Sequence, residues 1–442
     1  MKGIRKKIFR LSVLGLLTAL SANANAAGYK LEFQSPSVLA DAGDAAVVND
    51  ASTNWYNSAG LVYLPQQFVG SMIDVYQRTV FKGTSNAAVP LPFGVPGSPF
   101  NYVNTSSSAS SYPNAILPSM HYSLPFKDRY AFGISVVPAW GLMEDYGESS
   151  DVRYNLNKVS TKTIDIAPSL AMRVNDQWSV GAGPDIHYFS LQSRVHVRTQ
   201  FPVGFGGTTT DSISRYNANN WGHGFHAGVL YRMTEATRIG LNYRSKIVMN
   251  MTGGSDFTLS GITQFHTDQF KVSIPLPPTT SLSVYHDISP IWAVMGTVAF
   301  DQWSIIKYYY GQNIITPPAP PATAGVKVNA VLPQKFNNTL DFSVGTHYKL
   351  NDKILLRGSL KYEPTPTVNS SRALSFPDAD KLGVNFGAHY VLNKKVGFDF
   401  IYAHVFTKQE HINDVNPVTG ATSVGHVNTA IDLLGAQVVW NI

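Results

Sequence analysis

The sequence predicts an all-β chain: a 14-stranded antiparallel transmembrane β-barrel of a Gram-negative outer membrane, with an N-terminal hatch inside its lumen. Three observations carry that expectation. Apolar residues alternate with polar or small ones at period two, as in Leu340, Phe342, Val344, Thr346, Tyr348 and Leu350 against Asp341, Ser343, Gly345, His347 and Lys349. A strand between lipid and a wet lumen needs that pattern. Very short turns also alternate with long polar segments, the asymmetry of periplasmic turns and external loops. Finally, Leu434, Ala436, Val438, Trp440 and Ile442 alternate with Gly435, Gln437, Val439 and Asn441 up to the last residue. A terminal strand placed there can pair with the first and leave no open edge.

Residues 1–26 read as a cleaved secretory signal. Lys2, Arg5, Lys6, Lys7 and Arg10 form its basic end, and Ala24-Asn25-Ala26 is a small-residue cleavage site. Its apolar stretch, Leu11 to Leu20, is too short to span a bilayer as a helix. The mature chain is expected to begin at Ala27. Losing the signal takes Lys plus Arg from 34 to 29 against 28 Asp plus Glu, so the net charge falls from +6 to +1. That balance gives no argument for a nucleic-acid partner.

Residues 27–65 do not alternate. Leu31, Phe33, Val47, Val48 and Trp55 are apolar spots that disordered segments usually lack. They favour a compact plug in the barrel mouth; a disordered leader is the alternative.

The barrel is assigned to residues 66–442. Strands are expected near 66–77, 115–124, 130–139, 162–174, 178–198, 222–233 and 237–251. The remainder lie near 278–287, 291–305, 337–350, 354–363, 382–392, 396–407 and 428–442. Asn175-Asp176-Gln177, Asn351-Asp352-Lys353 and Asn393-Lys394-Lys395 are sensible tight turns, because Asn and Asp hydrogen-bond their own backbone. External loops are expected at 78–114, 140–161, 199–221, 252–277, 306–336, 364–381 and 408–427. An even strand count puts both termini on the periplasmic side. A soluble secreted all-β protein would also alternate, and is the rival architecture.

Charged residues make up only 14% of the chain, beside 22 Tyr, 23 Phe and 7 Trp, which suits an apolar wall with aromatic girdles. The chain contains no Cys, so disulfides, thiolate metal sites and thiol catalysis are excluded. His223 and His226 are three apart and fall on opposite faces of a strand. Glu410-His411 has no sequence partner, and no Gly-x-Ser-x-Gly, His-Glu-x-x-His or phosphate-binding loop occurs. No enzyme activity, metal or cofactor is expected, although a barrel phospholipase with Ser and His on its outer wall would escape such a scan.

Candidate binding residues follow from the same alternation. It assigns Arg173, Arg194, Arg198, Arg244, Lys246, Arg357 and Lys361 to the lumen. A basic group there can hold a carboxylate by a charge-assisted hydrogen bond, or simply pair with Asp165, Asp185, Asp301 or Glu363. The third strand runs into Pro138, which marks a kink or the strand's end. Leu91 to Phe100, and the stretch with Phe257, Leu259, Ile262, Phe265 and Phe270, are apolar loops that receive a greasy ligand or pack on one another.

Several segments in order resemble the FadL-type outer-membrane transporters. They are Ala27-Gly28-Tyr29-Lys30-Leu31; Trp221-Gly222 to Gly228; Arg238 to Ile247; Trp292 to Trp303-Ser304; Tyr362-Glu363-Pro364-Thr365-Pro366; and Phe376-Pro377-Asp378-Ala379-Asp380. The resemblance implies passive uptake of long-chain fatty acids or similar hydrophobic molecules, aromatic hydrocarbons in some relatives. Capture would occur at outer loops, binding in an internal apolar pocket, and release sideways beside a kinked third strand. It implies a gate at Asn57, Ser58, Ala59 and Gly60, and a kink at Val137, Pro138, Ala139 and Gly141. Arg194 and Lys307 lie near the family's basic ligand contacts, and Arg244 joins them as a luminal candidate.

Three departures stand out. The family's Asn-Pro-Ala appears as Asn57-Ser58-Ala59, which returns a backbone donor. The 199–221 loop is short, and Ile442 replaces a terminal aromatic. Outer-membrane lipid and the barrel-assembly machinery are the expected partners, the barrel is expected to be monomeric, and an open porin is a rival function.

Overall fold

The structure, a computed structural model, describes residues 29–42, 44–89, 101–200, 209–259, 263–316 and 325–442. The signal and its cleavage site, Ala27, Gly28, Ile262 and the apolar segment 91–100 lie outside the described residues.

Fourteen strands close an antiparallel barrel. They are β1 Gln67–Val89, β2 Asn101–Ser111 with Asn114–Phe126, β3 Tyr130–Val137 with Leu142–Asp145, β4 Lys158–Arg173, and β5 Trp178–Gln200. Next come β6 Thr209–Arg232, β7 Thr237–Arg244 with Ile247–Leu259, β8 Thr263–Leu276 with Thr279–Ser289, and β9 Trp292–Asp301 with Tyr308–Thr316. The circuit ends with β10 Val326–Pro333 and Thr339–Lys349, β11 Ile354–Glu363, β12 Lys381–Val391, β13 Val396–Thr407 with Glu410–Val415, and β14 Thr422–Asn441. Each strand pairs with the next, and β14 returns to β1 from Asn441 opposite Gln67 to Thr422 opposite Asn86.

Period two sorts the wall. Leu170 is 62% exposed on the lipid side while the adjacent Ala171 is 3% exposed on the inside. Near the short turns, Trp178, Trp292, Tyr348 and Trp440 face outward; toward the other rim, Tyr76, Trp221, Tyr308, Tyr362 and Tyr402 do so. These are the two girdles expected at the membrane interfaces.

Much of what the sequence assigns to external loops is strand. Residues 78–89, 101–111, 209–221, 252–259, 263–276, 308–316, 326–333, 410–415 and 422–427 extend the barrel beyond the lipid. There the outer face meets water, so nothing requires an apolar stripe, and Arg215, Asn217 and Asn219 alternate with buried Ser214 and Ala218. Phe257 and Phe270, placed in a loop by sequence, are buried strand residues; Phe257 packs with Val197 and Ile315.

The N-terminal segment lies inside the wall. It carries α1 (Pro36–Asp41), α2 (Thr53–Tyr56) and a 3₁₀ turn, Ser58–Tyr63. Two luminal glycines make room for it: a Cβ on Gly240 would collide with the Ala45 carbonyl, and one on Gly345 with the Asp41 carbonyl.

Candidate functional site

Side chains on facing strands tie the inner segment to the wall. His347 Nε2 lies 2.5 Å from Asp41 Oδ1, and Arg357 bridges Asp41 and Asp399. Gln437 donates to both Asp50 and Asp399, and accepts from Ser35. Nearer the chain start, Lys30 Nζ pairs with Asp301 at 2.8 Å and Glu32 at 2.9 Å, and Lys361 contacts Glu32. Burial works against the Lys30 charge, but Asp301, Asp341 and Glu363 outweigh it and hold its pKa above the usual lysine value. The Glu32, Asp301 and Asp341 carboxylates gather within 4.8 Å of one another, and Lys30 supplies the cation there.

The expected gate residues are anchored. Asn57 Oδ1 accepts from Ala59 N at 3.1 Å, while its Nδ2 donates to the carbonyls of Ala45 (2.7 Å) and Val229 (3.0 Å). The side chain thus caps the 3₁₀ turn and fastens it to β6 without a proline. Ser58 Oγ is buried with no hydrogen-bond partner. Ala59 accepts from Ser179 Oγ at 2.9 Å, and a Cβ on Gly60 would strike the Thr53 methyl.

The third strand is broken rather than ended. Val137 closes the first stretch of β3, residues 138–141 leave the ladder, and pairing with β4 resumes at Leu142. On its other side, β3 pairs with β2 only from Phe126 to Met120. Farther along that seam, the Ser111 hydroxyl accepts from Asp145 N at 2.8 Å. Residues 114–119 of β2 therefore border an interruption in the wall.

The freed backbone is satisfied from within. Leu31 N donates to Ala139 O at 2.9 Å, Gly141 N to Tyr29 O at 2.7 Å, and Gln34 Nε2 to Pro138 O at 3.1 Å. Thr163 Oγ1 accepts from Trp140 N at 2.9 Å and donates to Trp140 O at 2.5 Å. Lys30 and Trp140 sit opposite one another as an antiparallel bridge.

Two cavities flank this junction. The inner one, about 140 Å³, is mixed in character and touches Lys30, Trp55, Tyr56, Trp140, Asp185 and Arg244. The outer one, about 210 Å³, is walled by apolar groups such as Phe189, Leu191, Phe270, Ile314 and Phe376. Tyr29 lines the outer cavity and packs its ring against Trp140 (5.7 Å), Trp303 (5.3 Å) and Phe376 (5.8 Å).

Of the three basic ligand candidates, Arg244 alone reaches a cavity. It donates to Asp185 at 2.7 Å and to the Trp55 carbonyl at 2.7 Å, with its guanidinium over the Trp55 ring at 3.3 Å. Arg194 falls on the outward side of β5, because Phe189, Leu191, Ser193 and Val195 line the outer cavity; its Nη1 meets Glu148 at 2.6 Å. Lys307 is exposed beside the outward Tyr308. Arg198 shares the outward parity of β5 and Lys246 is exposed in the break between the two stretches of β7, whereas Arg173, Arg357 and Lys361 meet the inner segment. His226, not paired with His223, bonds Asp185 and Ser169.

This geometry has a family. The model of the family described as "Outer membrane protein transport protein (OMPP1/FadL/TodX)" matches residues 17–440. The chain belongs to that family. It is therefore a Gram-negative outer-membrane β-barrel. The "Long-chain fatty acid transport protein" of Salmonella typhi is 25% identical over 442 residues, covering 93% of this chain and 94% of that protein. "Outer membrane protein P1" of Haemophilus influenzae is 25% identical over 459 residues, covering 96% of each. Among solved structures, a Pseudomonas aeruginosa FadL homologue superposes with a TM-score of 0.79 at 20% identity, covering 94% of this chain and 100% of that one. The Pseudomonas putida toluene transporter TodX gives 0.70 at 15% identity, with 94% and 100% covered. Members of the family are transporters or channels.

Proposed function

We propose that this barrel admits hydrophobic small molecules, fatty acids or hydrocarbons, passively across the outer membrane and carries out no enzymatic step. Ligand enters the apolar outer cavity, passes the Tyr29–Trp140 junction, and leaves sideways through the interruption beside residues 138–141. The observation that carries this reading is the combination of an apolar cavity with a wall strand whose gap is filled by the N-terminal segment instead of by β2. Residues 27–65 act as the hatch, with Asn57, Ser58, Ala59 and Gly60 as its anchor. Burying apolar surface supplies the affinity, roughly 0.8 kcal/mol per methylene. Related proteins bear names for fatty acid and for toluene transport, and the shared fold supports the same work here.

The lumen is occupied by the N-terminal segment, which weighs against an open porin. The barrel works as a monomer, held in outer-membrane lipid after insertion by the assembly machinery. Influx of radiolabelled oleate and toluene into cells with and without the protein tests the reading. Faster influx of either supports it, while free passage of sugars with no gain for either apolar probe would favour the porin.

A further inference from the structure

The outer cavity is apolar and holds no cation. Among the described residues lining it, Lys, Arg and His are all absent. The segments 90–100, 201–208, 260–262 and 317–324 contain none of these residues either. A buried carboxylate without a partner carries a heavy desolvation cost. The cavity therefore disfavours an ionised acid, although the luminal arginines first suggested one.

One charged group in that wall has an open oxygen. Asp414 Oδ2 accepts from Leu374 N at 3.0 Å, and its other oxygen has no hydrogen-bond partner among the described residues. Several neighbouring polar groups are engaged with one another, while the Gln334 side-chain amide also lines the cavity. Tyr309 donates to Tyr29 at 3.1 Å, Tyr29 to the Pro275 carbonyl at 3.4 Å, and Asn416 Nδ2 to the Asn155 carbonyl at 2.9 Å. Tyr216 accepts from Ser214 at 2.7 Å. A free carboxylate oxygen in an apolar chamber accepts a hydrogen bond and repels a second carboxylate. Size adds a limit: an apolar cavity of roughly 150 Å³ holds benzene, so about 210 Å³ suits one substituted ring or a chain of similar bulk.

We infer that the outer cavity selects uncharged apolar molecules bearing a hydroxyl, phenols or alcohols of about one ring in size, whose O–H donates to Asp414. This rests on the transport reading above and narrows its substrate class. The apolar body fills the space among Phe189, Leu191, Phe270 and Ile314, and the hydroxyl supplies a directional contact to Asp414.

The test is direct binding of three probes of matched shape to the purified full-length protein at pH 8: p-cresol, toluene and 4-methylbenzoate. Cresol should bind about tenfold to a hundredfold tighter than toluene, the range for a hydrogen bond to a charged group, and 4-methylbenzoate weakest. In Asp414→Ala, checked for folding by heat-modifiable mobility, cresol should fall to the affinity of toluene while toluene holds. Benzoate binding as tightly as cresol, or cresol no tighter than toluene in the wild type, would overturn the inference. Failure of all three to bind while oleate influx persists would overturn it and leave the transport reading standing. Absence of influx for every apolar probe would remove that reading itself.

Discussion

The backbone N–H of Leu31 donates to the carbonyl of Ala139 at 2.9 Å, so a residue inside the barrel completes the hydrogen bonding of a strand in its wall. The break in β3 and the N-terminal segment are thus one hydrogen-bonded unit. On the transport reading proposed above, a ligand that displaced Tyr29 or Lys30 would act directly on the strand beside the break.

The Thr163 hydroxyl is expected to hold the opposite side of the break. Thr163→Val keeps the shape but strips Trp140 N and O of a partner. Each buried group left unsatisfied costs about 1–3 kcal/mol. The thermal unfolding midpoint in detergent should fall, and amide exchange at Trp140 should accelerate.

Ser58→Pro should stabilise the protein by about 0.4–1 kcal/mol. Position 58 opens a 3₁₀ turn, where proline fits, and the buried Ser58 hydroxyl has no partner to lose. Denaturant titration against the wild type measures the gain.

Gly240→Ala should loosen the inner segment, because the new Cβ meets the Ala45 backbone, which cannot step aside. Single-channel recordings should show raised ion leakage. Gly358→Ala is the control: its Cβ would lie 3.8 Å from the Asn385 carbonyl, an ordinary contact, and leakage should stay at the wild-type level.

Docking of the segment should weaken as pH rises. Burial pushes the Asp44 carboxyl from 3.8 up to about 6, against the pull of Lys30 and with Asp41 adding to the rise. The folded state therefore binds the proton more tightly than the unfolded one. This favours docking below the unfolded value of 3.8, and the advantage is lost as pH climbs through about 6. Leakage should increase between pH 4 and pH 7, and Asp44→Asn should flatten that dependence.

The fourteen membrane-crossing stretches were legible because lipid imposes an apolar stripe on one face of each. Above the outer girdle that pressure ends. The strands at Asn101–Ser111 and Thr209–Trp221 therefore carried no alternation of apolar with polar residues, and read as loops. The break at Pro138 was visible from the proline, but the partner that fills it, Tyr29 to Leu31, is distant in sequence and left no local signal. Arg194 was readable but misread. Asp185 and His187 mark the odd positions of β5 as inward, so an even-numbered arginine faces out. Asn57 as a cap was equally readable, since its side chain precedes a short turn.

Arg194→Ala should consequently leave ligand binding unchanged. It removes a part-exposed pair with Glu148, and such pairs contribute about 0–1 kcal/mol. Oleate titration of the variant and the wild type should superpose; a selective loss of oleate would restore Arg194 as a ligand contact.

The central claim is that the N-terminal segment must part from the third strand for transport. Lys30 and Trp140 form the bridge between them, flanked by bonds from Leu31 N to Ala139 O and from Gly141 N to Tyr29 O. That is a non-hydrogen-bonded antiparallel pair, with Cα atoms about 4.5 Å apart, within reach of a disulfide. The chain has no Cys of its own, so Lys30→Cys with Trp140→Cys creates a single cross-link. Influx of a labelled hydrophobic probe should stop in the oxidised protein and return on reduction. Equal influx in both states would contradict the account.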